Sequence, residues 1–131
     1  MIGSNGEKML RLTLPHVDQW NIWFADFGNT AGGLRPFLDP VDRIATEVGR
    51  DPGEIERTAT VLVSMGDTPG RARVPASVVP IRGTASDIAA SLREIHDVGI
   101  GHIQLVLDPI TPATVAALAP VLQELRNSET G

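Results

Sequence analysis

The stretch Thr58 to Met65, TATVLVSM, constrains this chain more than any other. Ala59, Val61, Leu62 and Val63 make it apolar at nearly every position instead of every second one. A strand that shows apolar side chains to both sides is covered on both, which is the condition of a parallel sheet. Parallel neighbours need a crossover between them, usually a helix. The stretch therefore predicts helical patterns before and after it.

Those patterns are present. Glu7 to Pro15 reads as a short helix with Met9, Leu10, Leu12 and Leu14 on its apolar side, and Trp20 to Phe24 as a short strand. GNTAGGLRPF, residues 28–37, reads as a loop. The next helix is expected to begin with Asp39 as N-cap and Pro40 at the first helical position. It carries Val41, Ile44, Ala45 and Val48 on one face, and Gly49 stops it. After the strand at Thr58 comes an irregular stretch, GDTPGRARVPASVVPIRG. Thr84 then caps a helix, with Asp87 completing a capping box and Ile88, Ala89, Leu92 and Ile95 forming the buried stripe. His102 to Leu107 is the last strand. Thr111 and Pro112 open a final helix with Val115, Leu118, Leu122 and Leu125, which Pro120 should kink. Residues 126–131 read as a disordered tail.

Met1, Ile2 and Gly3 read as the end of a buried strand, so the sum is four consecutive β/α units in one α/β domain, residues 1–131. Right-handed crossovers then allow either half of an eight-fold barrel or a small doubly wound sheet. The doubly wound sheet needs helices on both faces, whereas barrel strands keep every helix outside.

Composition narrows the function. A net charge of −5 leaves nothing to neutralise a run of phosphates, which excludes nucleic acid as a partner. No apolar run reaches the length of a membrane span, and the N-terminus lacks the layout of a signal peptide. The absence of cysteine excludes disulfides and thiolate metal sites and fits a cytoplasmic protein. His16, His96 and His102 are scattered without ligand spacing, so no metal site is expected.

Two places could carry chemistry. GSNGEK follows a strand and precedes a helix, so backbone N–H groups of Gly3, Ser4, Asn5 and Gly6 and the helix dipole converge on an anion site. Glycine would there supply positive φ and close approach. The plain alternative is an ordinary turn, and Glu7 counts against a purely electrostatic pocket. Second, alternation puts Asn21 and Trp23 on one face of their strand and Trp20 and Ile22 on the other. The plain reading is that both tryptophans are core; in a barrel, however, strand C-terminal ends line the active-site mouth, so Asn21 and Trp23 could face a flat ring. Asp108, just after the last strand, is either a functional carboxylate or a turn starter.

Three segments resemble a family. IGSNGEKMLRLTLPHVDQWN is similar to the iGGsGpkmLrlaaryADgWN segment of luciferase-like monooxygenases and coenzyme F420-dependent oxidoreductases. EVGRDPGEIERT resembles their GRDPaeIe stretch, and IRGTASDIAASLREIHDVGIGHIQLVL their GTpeeiaerLreyadaGvdhiil stretch near the C-terminus. The resemblance implies the C-terminal half of a TIM-like (β/α)8 barrel that binds F420 or FMN, F420 being preferred. It implies that Gly3, Ser4, Asn5 and Gly6 hold the cofactor phosphate. Ser4 stands where a second glycine is frequent, and Leu14-Pro15 replaces a small alanine pair. Catalytic residues are not identifiable, because the matching part lacks the family's first four strands. Met1 accordingly reads as the start of a truncated reading frame. Such a half-barrel is expected to be inactive alone, with an apolar inner face that drives self-association or pairing with an N-terminal half. The reading from a different class is a non-catalytic binding or structural module.

Overall fold

In a computed structural model of the chain, the described residues are Gly3, 6–65 and 78–130. Helix α1 (Glu7–Thr13) leads to strand β1 (Gln19–Trp23), the short helix α2 (Phe24–Phe27) and the long helix α3 (Ala31–Glu47). A 3₁₀ turn at Pro52–Glu54 precedes β2 (Glu56–Ser64). Helix α4 (Ala85–Asp97), β3 (His102–Asp108), α5 (Pro112–Ala116) and α6 (Ala119–Thr130) complete the chain.

The strands pair in parallel and in chain order, β1-β2-β3, with Asn21 opposite Thr58 and Thr60 opposite Gln104. The continuous apolar run does what its pattern requires: residues 58–63 of β2 are all buried. Register sets two unlike faces. One carries Trp20, Ile22, Ala59, Val61, Val63, Ile103, Leu105 and Leu107, and α1, α3, α4 and α6 form a row in chain order beside it. The other carries Gln19, Asn21, Trp23, Thr58, Thr60, Leu62, Gln104 and Val106. An unreversed strand order with a helix row in the same order is what a segment of a barrel requires. Three parallel strands are formed by the described residues; Met1 and Ile2, read as the end of a first strand, lie outside them.

Helix α4 matches its sequence signals. Thr84 Oγ1 accepts from the Asp87 N–H, the Asp87 carboxylate accepts from the Thr84 N–H, and Ile88, Ala89, Leu92 and Ile95 are buried. Helix α3 corrects the expectation at GNTAGGLRPF. It begins eight residues before Asp39, with Thr30 as N-cap accepting from the Gly33 N–H at 3.2 Å. Its buried stripe starts at Leu34 and continues through Leu38, Val41, Ile44 and Ala45. Gly33 marks a close approach, not a loop: a Cβ there would sit 1.8 Å from the Phe27 carbonyl oxygen. Pro36 and Pro40 lie inside this helix, whose apolar face on the core outweighs the hydrogen bonds they remove. Pro120 also departs from expectation. It stands at the second position of α6, so the expected kinked helix is two helices, α5 and α6. Helix α6 runs on to Thr130, into the stretch read as a tail, and Arg93 donates to Ser128 Oγ at 2.8 Å.

Candidate functional site at the strand ends

The two tryptophans of β1 have opposite environments. Trp20 is fully buried under the helices, whereas Trp23, on the other face at the strand's C-terminal end, is 47% exposed. Its ring lies 4.4 Å from that of Phe24, tilted by 34°. An exposed aromatic face braced from one side is suited to stacking a flat ring.

Asn21 belongs to a cross-strand network on the same face. Thr58 Oγ1 lies 2.7 Å from Asn21 Oδ1, Asn21 Nδ2 donates to Thr60 Oγ1 at 3.1 Å, and Thr60 Oγ1 lies 3.0 Å from Gln104 Oε1. Thr58 Oγ1 also reaches the Trp20 carbonyl at 3.0 Å, so its one hydrogen has two acceptors, while Thr60 accepts from Asn21 and turns its own hydrogen to Gln104. Thr58 and Thr60 are buried. This face is thus mixed, polar at Asn21, Thr58, Thr60 and Gln104 and apolar at Trp23, Leu62 and Val106, where an apolar inner face was expected. The sequence signal for it is Thr58 and Thr60 at alternate positions of an otherwise apolar strand; their amide partners follow from the register.

Gly3 is brought to Asn21: a Cβ on it would lie 3.8 Å from the Asn21 carbonyl oxygen, an ordinary contact. Gly6 is the N-cap of α1, with φ −73° and ψ 138°, and open space surrounds its Cβ position. Neither residue has a positive φ, so that part of the geometric reason expected for them does not hold. What Gly6 does provide is the lack of a capping side chain at the start of α1. Ser4 and Asn5 lie outside the described residues.

Glu7 is drawn away from that helix start. Its carboxylate accepts from Arg43 Nη2 on α3, and Arg43 also pairs with Glu47, which Arg11 holds at 2.6 Å. The hydrogen bond to Glu7 raises the Arg43 pKa, and the bond from Arg11 lowers that of Glu47. The negative charge that counted against an anion site is therefore matched by a guanidinium.

Asn29 is a residue the sequence reading missed. It has φ 63° and is 2% exposed. Its Nδ2 donates to the carbonyls of Leu62 and Val79, and its Oδ1 accepts from the Leu62 N–H at 2.9 Å. The chain turns away from the sheet after Trp23, and the Asn29 amide takes the place of strand backbone beside Leu62. Ile81 extends this edge, donating to the Leu62 carbonyl and accepting from the Ser64 N–H. The only signal in the sequence is the Gly28-Asn29 pair, two residues that tolerate left-handed backbone.

The histidines are not brought together. His96 Nδ1 lies 2.8 Å from the Ile100 carbonyl, and His102 is exposed at the opposite end of β3 from Asp108. Among the described residues, no group of three or more His, Cys, Asp or Glu could hold a metal, and no helix is long and apolar enough to cross a membrane. Asp108 ends β3 opposite Ser64, at the same end of the sheet as Trp23.

No family model matches the chain, and no curated protein does. Solved structures do. The chain is similar to a coenzyme F420-dependent tetrahydromethanopterin reductase from Methanopyrus kandleri, with TM-score 0.67 and 15% identity, over 96% of this chain and 49% of that one. It is similar to an F420-dependent secondary alcohol dehydrogenase in complex with an F420-acetone adduct, with TM-score 0.68 and 13% identity, over 96% and 47%. A long-chain alkane monooxygenase, LadA, matches with TM-score 0.73 and 16% identity, over 97% and 40%. The chain spans about half the length, or less, of the structures it matches. It therefore has the fold of one part of these reductase, dehydrogenase and monooxygenase enzymes, in agreement with the resemblance read from its motifs.

Proposed function

We propose that the chain is the cofactor-phosphate portion of an F420- or flavin-dependent oxidoreductase of the luciferase-like monooxygenase family, F420 being preferred to FMN. The observation that carries this reading is the half-exposed Trp23 at a strand's C-terminal end, with Gly3 beside Asn21 on that same strand. The fold shared with two F420-dependent enzymes supports it.

The residues fit such a group. Three peptide units span at most about 11 Å, so Gly3 beside β1 keeps Gly6 close to the same strand. Gly6 offers the first N–H groups of α1 no capping side chain, and such groups suit a phosphate. Gly3, Ser4, Asn5 and Gly6 would hold that phosphate, and Trp23 would stack on the ring. Asn21, fixed by Thr58 and Thr60, would keep one amide hydrogen for it. The bound cofactor would supply hydride chemistry. The groups that select a substrate fall to the portion of the neighbours that this chain does not match, so the chain alone would bind cofactor without turnover.

Titration of F420 and of FMN, followed by cofactor fluorescence, tests this. Trp23→Ala should weaken binding roughly two- to tenfold, the worth of one aromatic stack. Gly6→Asp should have two opposite effects: its carboxylate caps α1 and raises stability, while it competes with phosphate and lowers affinity. No binding of either cofactor at saturating concentration, or binding indifferent to Gly6→Asp, overturns the reading.

A further inference from the structure

Register brings three side chains of the face that carries Asn21 to one level. Trp23 of β1 stands opposite Thr60 of β2, and Thr60 opposite Gln104 of β3. Neighbouring strands lie about 4.8 Å apart, so Gln104 stands roughly 10 Å from Trp23, with the short Thr60 side chain between them. The hydrogen bonds decide which end of the Gln104 amide faces inward. Thr60 Oγ1 accepts from Asn21 Nδ2, and its own hydrogen has Gln104 Oε1 at 3.0 Å and Asn21 Oδ1 at 3.3 Å. Gln104 is the nearer acceptor, and Asn21 Oδ1 has Thr58 Oγ1 closer at hand, at 2.7 Å. The Gln104 oxygen is thereby held toward Thr60 and its NH₂ turned away. Gln104 is half-buried, and its Nε2 donates to no acceptor among the described residues. An oriented amide with two unspent hydrogens is thus level with a half-exposed aromatic face.

We propose that Gln104 is a second contact for the cofactor ring. Its Nε2 donates to a carbonyl at the edge of the ring that stacks on Trp23, and Thr60 is the positioning residue that aims it. The inference rests on the cofactor reading above and adds a direction to it. The ring lies across the strands, over Thr60, with its carbonyl-bearing edge toward β3. F420 and FMN both carry two carbonyls on one terminal ring of a flat three-ring system, and a row of three strands suits such a shape. The same bond draws electron density toward that edge, so Gln104 tunes the ring as well as holding it.

Absorbance and fluorescence titrations with F420 and with FMN test this, run beside Trp23→Ala and Gly6→Asp. Gln104→Leu removes the donor and should weaken binding roughly two- to tenfold, the worth of one hydrogen bond. The absorbance band of the bound cofactor should also move toward its position in a solvent that donates no hydrogen bonds. A merely loosened sheet, which admits water, would not move it that way. Gln104→Glu turns acceptor oxygens to the ring carbonyl and should weaken binding at least as much. Thr60→Val keeps the donor but not its aim, so it should weaken binding less than Gln104→Leu and add little to that variant. An unchanged far-UV circular dichroism spectrum shows that the variants fold. Gln104 variants with wild-type affinity and an unmoved band, where Trp23→Ala and Gly6→Asp do weaken binding, overturn this inference and leave the cofactor reading standing. Full additivity of Thr60→Val and Gln104→Leu overturns the role of Thr60. A wild-type chain that binds neither cofactor overturns this inference and the cofactor reading together.

Discussion

Asn29 offers the most direct test of how the sheet is held. Its amide caps the part of β2 that β1 does not reach, within a site where Leu62 is 1% exposed. In Asn29→Ala the Leu62 N–H loses its partner, while the Leu62 carbonyl keeps the Ile81 N–H. An orphaned buried donor costs roughly 1–3 kcal/mol. The left-handed backbone at φ 63° adds a second penalty, roughly 1–2 kcal/mol for a residue with a Cβ and no local hydrogen bond. The expected loss is about 2–5 kcal/mol, a large fraction of a domain's roughly 5–15 kcal/mol. Asn29→Gly loses the same hydrogen bonds without the backbone penalty, so it should fall short of the alanine variant by about 1 kcal/mol. Urea unfolding followed through the buried Trp20 reads both. An alanine variant within about 0.5 kcal/mol of wild type, a change typical of unremarkable surface positions, refutes the assignment of Asn29 as a substitute strand.

Arg50 ties the end of α1 to the end of α3, with Nη1 donating to the carbonyls of Leu14 and Val17, each at 2.9 Å, and Nε to Glu54. Arg50→Lys replaces a planar fork by a point charge that cannot span these acceptors, so it should cost about 1–3 kcal/mol in urea unfolding; a lysine variant equal to wild type counts against this. Asp87 has its pKa lowered, chiefly by the Thr84 N–H that it accepts. Its contribution is present above the unfolded value of about 3.9 and is lost as pH falls through the lower folded value. Asp87→Asn should therefore flatten the acid limb of Tm against pH, and an unchanged limb contradicts the linkage.

Much of the fold was legible because local signals agreed with one another. At α4 the cap, the capping-box partner and the apolar stripe name one helix, and β2 needs only its composition. Where signals conflicted, the stronger physical term was not the more conspicuous one. The glycines and Pro36 between residues 28 and 37 suggested a loop, yet the apolar spacing from Leu34 to Leu38 to Val41 carried the helix. Gly33 was there for the Phe27 carbonyl, a contact between elements that no local pattern reveals. The candidate site was half legible for the same reason. Alternation placed Asn21 and Trp23 on one face, but the Thr60 and Gln104 partners of that face depend on register, which only the assembled sheet fixes. Asn29, acting on β2 from 33 residues away, lay beyond any periodicity.

The chain-ordered parallel sheet also bears on how the domain forms. Gln19 meets Glu56 across 37 residues and Thr60 meets Gln104 across 44, so no strand pair can zip from a tight turn. Each pairing must arrive with its crossover helix already gathered in. The closure entropies of the two loops differ by only about 0.2 kcal/mol, too little to order the events. Pairing length does order them, with seven partnered positions between β2 and β3 against five between β1 and β2. The β2–α4–β3 unit is thus expected to form first with β1 docking onto it, so in stopped-flow kinetics substitutions within it should slow folding where those in β1 speed unfolding.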